Sequence, residues 1–374
     1  MNHEELQSQL IRWMRFPLAV AVVYSHAITH EKLQIDLWQF DYTNLRWMDV
    51  SNIIRALLTE VFVRLARPCF FIFSGLLFFN KVKEWSRTVY FNKIKNRIIT
   101  LMIPFVLWNL IAVSIYAIYH IIQGENLMIF INEIQDHGVL KIFWNYNKYN
   151  DLACNIFGYS FSYYFPYNAP LWFIRDLVVM VFLSPMIYYF FKYAKLFGVI
   201  ILGIFYCTRV GIYIPGFSND AFFFFGFGAY FSIHGKNMIV ELQKRKLIWL
   251  SIAIISLVLS LYHWLVFFQL YIIFGCITLI NINSYILERG KINTNHSCIS
   301  FLSKTSFFIF ATHTLLLVNL STKLINIVFQ SNAFFFLTIK YYMAPIVCVC
   351  LCVGLYYIAN KLVPKVMKVL TGNR

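Results

Sequence analysis

Stretches of about 18 or more apolar residues recur from one end of this 374-residue chain to the other. That repetition leaves few folds open. In lipid, every backbone N–H and C=O must find a partner inside the protein, so only helices or a closed barrel can cross. No alternating apolar and polar pattern of the kind a barrel needs appears. The sequence therefore reads as an all-α polytopic membrane protein. Only 13% of its residues are charged, against roughly a quarter in a soluble domain.

Ten spans are expected, near 14–32, 58–79, 98–122, 169–191, 196–215, 219–233, 246–265, 267–283, 300–321 and 338–361. They predict one transmembrane domain over 1–374, a bundle of about ten helices with no appended soluble domain. The run at 219–233 is short and carries glycines, which leaves its depth open. The opening residues MNHEELQSQLIRWMR are polar and no cleavage site follows, so the first span is expected to stay as a helix. Pro17 near its beginning suits a first helical turn.

The net charge of +16 would point to nucleic acid in a soluble chain. Here the distribution explains it better, and no nucleic-acid partner is expected. Twenty-one of the 32 Lys and Arg fall on or near one set of connecting segments and eight on or near the other, with Arg64, Arg67 and Arg175 assigned to neither. The positive-inside rule then places both termini in the cytoplasm. The longest outer loop, about 123–168, is rich in Asn, Tyr and Phe. It either forms an interfacial aromatic belt or stacks on sugar rings. The eight cysteines form no CxxC pair and read as free buried thiols. HExxH, GxSxG and nucleotide-binding glycine loops are all missing. Metal-dependent hydrolysis and ATP-driven work therefore lack support, and no metal is expected.

Charged and titratable groups in lipid are costly and mark function. Arg15 and His26 share the first span. They are eleven positions apart, about 16 Å and close to three full turns, so they point the same way. A neutral imidazole in an apolar site suits a general base for a hydroxyl. In the second span Glu60, Arg64, Arg67, Phe71 and Ser74 share a face. The arginines there need carboxylates, phosphates or water, or belong to an ion-pair network between helices. Ser74-Gly75 makes a small-residue spot where another helix or a thin chain passes closely. Lys93, Lys95 and Arg97 form a basic stretch, either ordinary inner-face charge or a phosphate site. Asp176 either orients His26 or an arginine, or holds a structural salt bridge. Arg175 points about 100° away from it, so the two are expected to serve different neighbours. His313 is a candidate pocket residue, and His263 reads as interfacial.

Four of these stretches together resemble the acyltransferase-3 family of integral-membrane acyltransferases. The family's first span carries an arginine, ten residues, then a histidine, matched by Arg15 and His26. Its second reads Arg-x-x-x-Pro-x-Phe-x-x-x-Ser-Gly, matched by Arg64, Pro68, Phe70, Ser74 and Gly75. The Lys93-Ile-Lys95-Asn-Arg97 stretch with Pro104, the run Leu171-Trp172-Phe173-Ile174-Arg175-Asp176, and Ser306 with His313 are also similar. Thr314 departs from the pattern, standing where a proline often follows the late histidine.

The resemblance implies transfer of an acyl group, usually acetyl from acetyl-CoA, to a hydroxyl of a cell-envelope carbohydrate. The setting is the inner (plasma) membrane of a bacterium. On that reading His26, Arg15, Asp176 and Arg64 are catalytic. Lys93, Lys95, Arg97, Ser74 and Gly75 hold the acetyl-CoA. Arg67, Trp172, Arg175 and His313 meet substrate. The rival reading is a transporter or exporter of a lipid-linked glycan, which the lack of an internal repeat disfavours. The sequence does not bear on oligomeric state.

Overall fold

The computed structural model describes residues 2–26, 47–156, 159–209, 214–261, 264–290, 292, 294, 296–331 and 333–373. Within these, the side chains of 47, 148–163, 264 and 265 are not described. His263 lies outside the described residues.

Helices dominate. Six are long and apolar enough to cross a bilayer: Met48–Phe79, Arg87–Ile122, Ser184–Thr208, Val266–Glu288, Ser297–Val328 and Phe334–Leu362. The other four expected spans take different forms among the described residues. The opening helix, His3–His26, begins eleven positions early in a polar stretch. The segment expected at 169–191 is divided at Leu183, leaving Trp172–Phe182 as an eleven-residue helix. The helical runs Ala221–Ile233 and Lys246–Ser260 fall short of a full crossing length.

Pro17 consequently lies inside the opening helix rather than in its first turn. It has no N–H to offer the Trp13 carbonyl one turn back. Trp13 is anchored instead through its indole, which donates to Asn283 Oδ1 at 2.8 Å. The buried stripe Leu6, Leu10, Met14, Leu18 and Val22 follows helical spacing. It packs the opening helix against Ser297–Thr312 and against the arginine helix, Ala66–Phe79.

The arginine helix is crossed at very short range by the glycine helix, Gly226–Ile233. A Cβ on Gly228 would come within 2.0 Å of the Ile72 carbonyl oxygen, and one on Gly75 within 2.0 Å of that of Phe225. Only glycine fits at either point. Of the two readings of Ser74-Gly75, the structure fills the spot with a helix, so Gly75 offers no passage for a donor chain. Ser232 Oγ donates to the Leu76 carbonyl at 2.6 Å one turn further. The two helices therefore run parallel. The glycine helix leads to Asn237 and Met238, which bond the His3 carbonyl and Gln7 Oε1. The arginine helix thus runs antiparallel to the opening helix, its first turn near His26.

The outer loop contains strands, a departure from the all-α expectation. β1, Asn147–Ile156, pairs antiparallel with β2, Tyr159–Phe165, with a register shift between Tyr149 and Ala153. The alternation Tyr159, Ser160, Phe161, Ser162, Tyr163 is a strand pattern rich in β-formers. It is too short to stand out beside the apolar runs.

Candidate active site

The opening helix ends at His26, and its imidazole packs toward His313 of the bundle on one side. The His313 ring lies 5.2 Å away, centroid to centroid, tilted by 51°. His313 is fully buried, whereas His26 keeps an accessible face. The local chain explains how His313 is held. Ser297–Thr312 is a regular helix, and it gives way at His313–Leu317 to a wide π-helical turn. Leu316 there adopts φ 67°, the left-handed region that a side chain resists. His313 Nδ1 faces the Ile309 carbonyl oxygen at 2.9 Å. A carbonyl only accepts, so Nδ1 carries the proton and Nε2 holds the lone pair. That Nε2 is buried with no hydrogen-bond partner among the described residues.

Three other motif segments converge here. Arg67 lies within electrostatic range of His26, and its guanidinium sits over the Trp172 ring at 5.2 Å. Phe71 of the same helix packs on Phe173 at 4.3 Å. Phe173 meets Phe310, and Phe310 reaches His313 at 6.4 Å. An aromatic chain thus joins the arginine helix, the Trp172 helix and His313. Arg64 lies in a tight 3-10 turn, Val63–Leu65, that continues a π-helical turn, Leu57–Phe62, and Arg67 comes just after it. Such irregular turns are frequent at functional sites.

The sequence reading missed Asp220. It is partly buried and lies within electrostatic range of Arg64, Arg67 and Arg209. An acid within range of both span arginines is therefore distant in sequence. Its only signal was an aspartate directly preceding the run AFFFFGFG.

Arg175 and Asp176 are not divided between different neighbours. Arg175 Nε and Nη2 donate to Asp176 Oδ1 at 3.0 and 2.9 Å, with both side chains fully enclosed. Arg175 Nη1 donates to the carbonyls of Trp144 and Tyr164, and the Gly216 N–H also reaches Asp176 Oδ1. The 100° offset of neighbouring helix positions is overcome because the long arginine side chain folds back. These bonds tie the strand-bearing loop to the helix below it. They engage Arg175 in a structural arrangement rather than in the substrate contact expected of it.

The basic stretch lies at the far end of the arginine helix. Lys93 donates to the carbonyl of Phe78, and its ammonium also lies 5.1 Å from the Phe78 ring centroid. Arg97, one turn on, stands over the same ring at 5.6 Å. All three lie on the helix Arg87–Arg97, where Lys95 is on the other side and exposed. Lys93 and Arg97 therefore form a pair that Lys95 does not join. From Arg67 to Phe78 is eleven positions, about 16 Å, the same spacing as from His26 back to Arg15. The half-buried Arg15, with Arg12 in range, stands near the level of this basic pair.

The geometry brings a histidine pair, span arginines and a separate cationic end into one bundle. A family model described as an acyltransferase domain matches residues 9–359. The chain belongs to the acyltransferase-3 family. The succinoglycan biosynthesis protein ExoH of Rhizobium meliloti (strain 1021) is 25% identical over 378 residues, covering 98% of this chain and 92% of the relative. No solved structure matches. Family membership and the apolar helices make this a multi-pass membrane acyltransferase.

Proposed function

We propose that the chain transfers an acetyl group from acetyl-CoA to a hydroxyl of a surface or lipid-linked glycan in the inner membrane of a bacterium. The observation that carries this reading is the His26–His313 pair, with the His313 Nε2 lone pair held free by the Nδ1–H bond to Ile309. His26 is the general base. It takes the proton of the acceptor hydroxyl as that oxygen attacks the thioester carbonyl carbon. The carbon–sulfur bond breaks, and the departing sulfur recovers the proton from the imidazolium. His313 Nε2 orients the reacting imidazole or the hydroxyl by accepting a hydrogen bond, the part of the third group in a nucleophile–base–orienter arrangement. Arg67, in range of His26, offsets negative charge growing on the carbonyl oxygen.

Lys93 and Arg97 hold the donor's phosphates, with Arg15 at a similar depth beside the arm. The 21 to 8 bias in Lys and Arg supports placing that end, and both termini, in the cytoplasm. The choice of a glycan acceptor is supported by the relative's part in succinoglycan biosynthesis.

The test is mass spectrometry of envelope glycans from cells with the intact protein and with His26→Ala. The expected result is an acetyl mass increment that requires His26. An identical glycan profile in cells with and without the protein would overturn the reading, and so would vesicle uptake of a glycan with no acyl product.

A further inference from the structure

The end of the bundle that carries the hairpin holds a cleft of about 380 Å³, within the roughly 300–1,000 Å³ typical of small-ligand pockets. Its walls come from the end of the helix Ile103–Ile122, from the helix Leu127–His137 and from the stretch leading into and out of the hairpin. Thr314 and Leu315, the residues directly after His313, complete the lining. The cleft and the histidine pair therefore share one strained turn.

The lining has a definite chemistry. Tyr167 stands 4.8 Å from Tyr146 and 5.8 Å from Tyr116, centroid to centroid. The Glu133 carboxylate accepts from the Tyr146 hydroxyl at 3.2 Å and is otherwise exposed. Asn168 is 2% exposed. Its amide nitrogen donates to the Ala311 carbonyl at 3.0 Å, while its Oδ1 has no partner among the described residues. Buried acceptors left unmet are rare and costly.

We propose that this cleft binds a neutral hexopyranose residue of the acceptor glycan. The inference rests on the acyltransferase reading above and gives that reaction its acceptor site. The Glu133 carboxylate and Asn168 Oδ1 are acceptors that call for donors, and sugar hydroxyls are donors. An anionic group would bring more acceptors to Glu133, and no lysine or arginine is among the described lining residues. A purely apolar group would leave Asn168 unmet. The tyrosines offer flat apolar faces to the C–H side of a pyranose and keep polar tips for its hydroxyls. Burial holds the Tyr146 and Tyr167 phenols above their ordinary range, still further from ionising at neutral pH than an exposed tyrosine.

The full chain in nanodiscs is probed by saturation-transfer NMR with methyl β-glucopyranoside and methyl β-galactopyranoside, with inorganic phosphate as competitor. At least one glycoside is expected to bind through its ring protons. Tyr146→Ala and Glu133→Gln are each expected to weaken it about tenfold, the scale of one hydrogen bond to a charged group. Phosphate is expected not to compete. Binding unchanged in both variants, displacement by phosphate, or no glycoside signal would overturn the site. Glu133 is exposed, so its variant keeps the test open if Tyr146→Ala does not fold. Site-dependent glycoside binding by a chain that transfers no acyl group would uphold the cleft and sink the transferase reading. Acyl transfer with binding unaltered in both variants would do the reverse.

Discussion

The two ends of the arginine helix differ in what they leave undone. At the Arg67 end, buried polar atoms have no partner among the described residues: His313 Nε2 beside His26, and Asn168 Oδ1 in the wall of the neighbouring cleft. The backbone there is also strained, with Leu316 in the left-handed region. At the Phe78 end, the cations are already engaged. Lys93 caps the helix by taking the Phe78 carbonyl, and Lys93 and Arg97 both lie over the Phe78 ring. An unmet buried acceptor costs about 1–3 kcal/mol, whereas a cation at a helix C-terminus is favourable by itself. Other buried atoms, Ser184 Oγ among them, also lack a partner among the described residues; what sets the histidine end apart is that its unmet atom is a ring nitrogen beside a second imidazole. The basic end holds the same residues for structure that it would turn toward a phosphate.

The largest expected effect breaks the histidine end. His26→Ala is expected to lower acyl transfer by about 10²–10⁴-fold, the usual worth of a general base, measured on protein of verified folded content. Next comes a structural contrast. Asp176→Ala removes the carboxylate that balances the buried Arg175 guanidinium, which is expected to cost about 3–5 kcal/mol of stability. That appears as a large fall in the thermal unfolding midpoint, with loss of folded yield exceeding any loss of turnover per folded molecule. An unchanged midpoint would remove the structural assignment of the pair.

The basic end is expected to give a milder and different signature. Lys93→Ala with Arg97→Ala is expected to raise the donor KM by about tenfold, the worth of one or two charge-assisted bonds, with kcat altered little. An unchanged donor KM would leave Phe78 capping as the sole task of these side chains.

The smallest effect concerns the cleft. Burial, and next the Glu133 carboxylate, push the Tyr146 phenol up to about 12. The folded state therefore favours the neutral phenol. That contribution is whole below about pH 10 and is lost as pH rises through about 12. Glu133→Gln is expected to move the Tyr146 titration, followed by absorbance, to lower pH. No movement would mean that the carboxylate does not act on the phenol.

Much of this was legible because lipid removes options. Apolar runs located the six long helices, but missed their ends by up to about twelve residues where a helix runs on beyond the apolar window. The eleven-residue spacing of Arg15 and His26 followed from helix geometry alone, and His313 stood out as a polar group in an apolar run. The unread parts depend on contacts between distant segments or on side-chain length. Asp220 lies some 150 positions from the span arginines within its range. Arg175 folds back onto its own neighbour, which the angle between adjacent Cβ atoms does not reveal. Gly75 and Gly228 serve a helix crossing that neither span shows alone. The early start of the opening helix was hidden because its first turns are polar and packed by only a narrow apolar stripe. The hairpin was hidden because its alternation lasts only a few residues.

The most direct test is single-turnover transfer from labelled acetyl-CoA to purified envelope glycan by wild-type protein, His26→Ala and His313→Ala in nanodiscs. Loss of at least about a hundredfold is expected for His26→Ala, with a smaller loss for His313→Ala. Labelled glycan formed by His26→Ala at close to the wild-type rate would contradict the account.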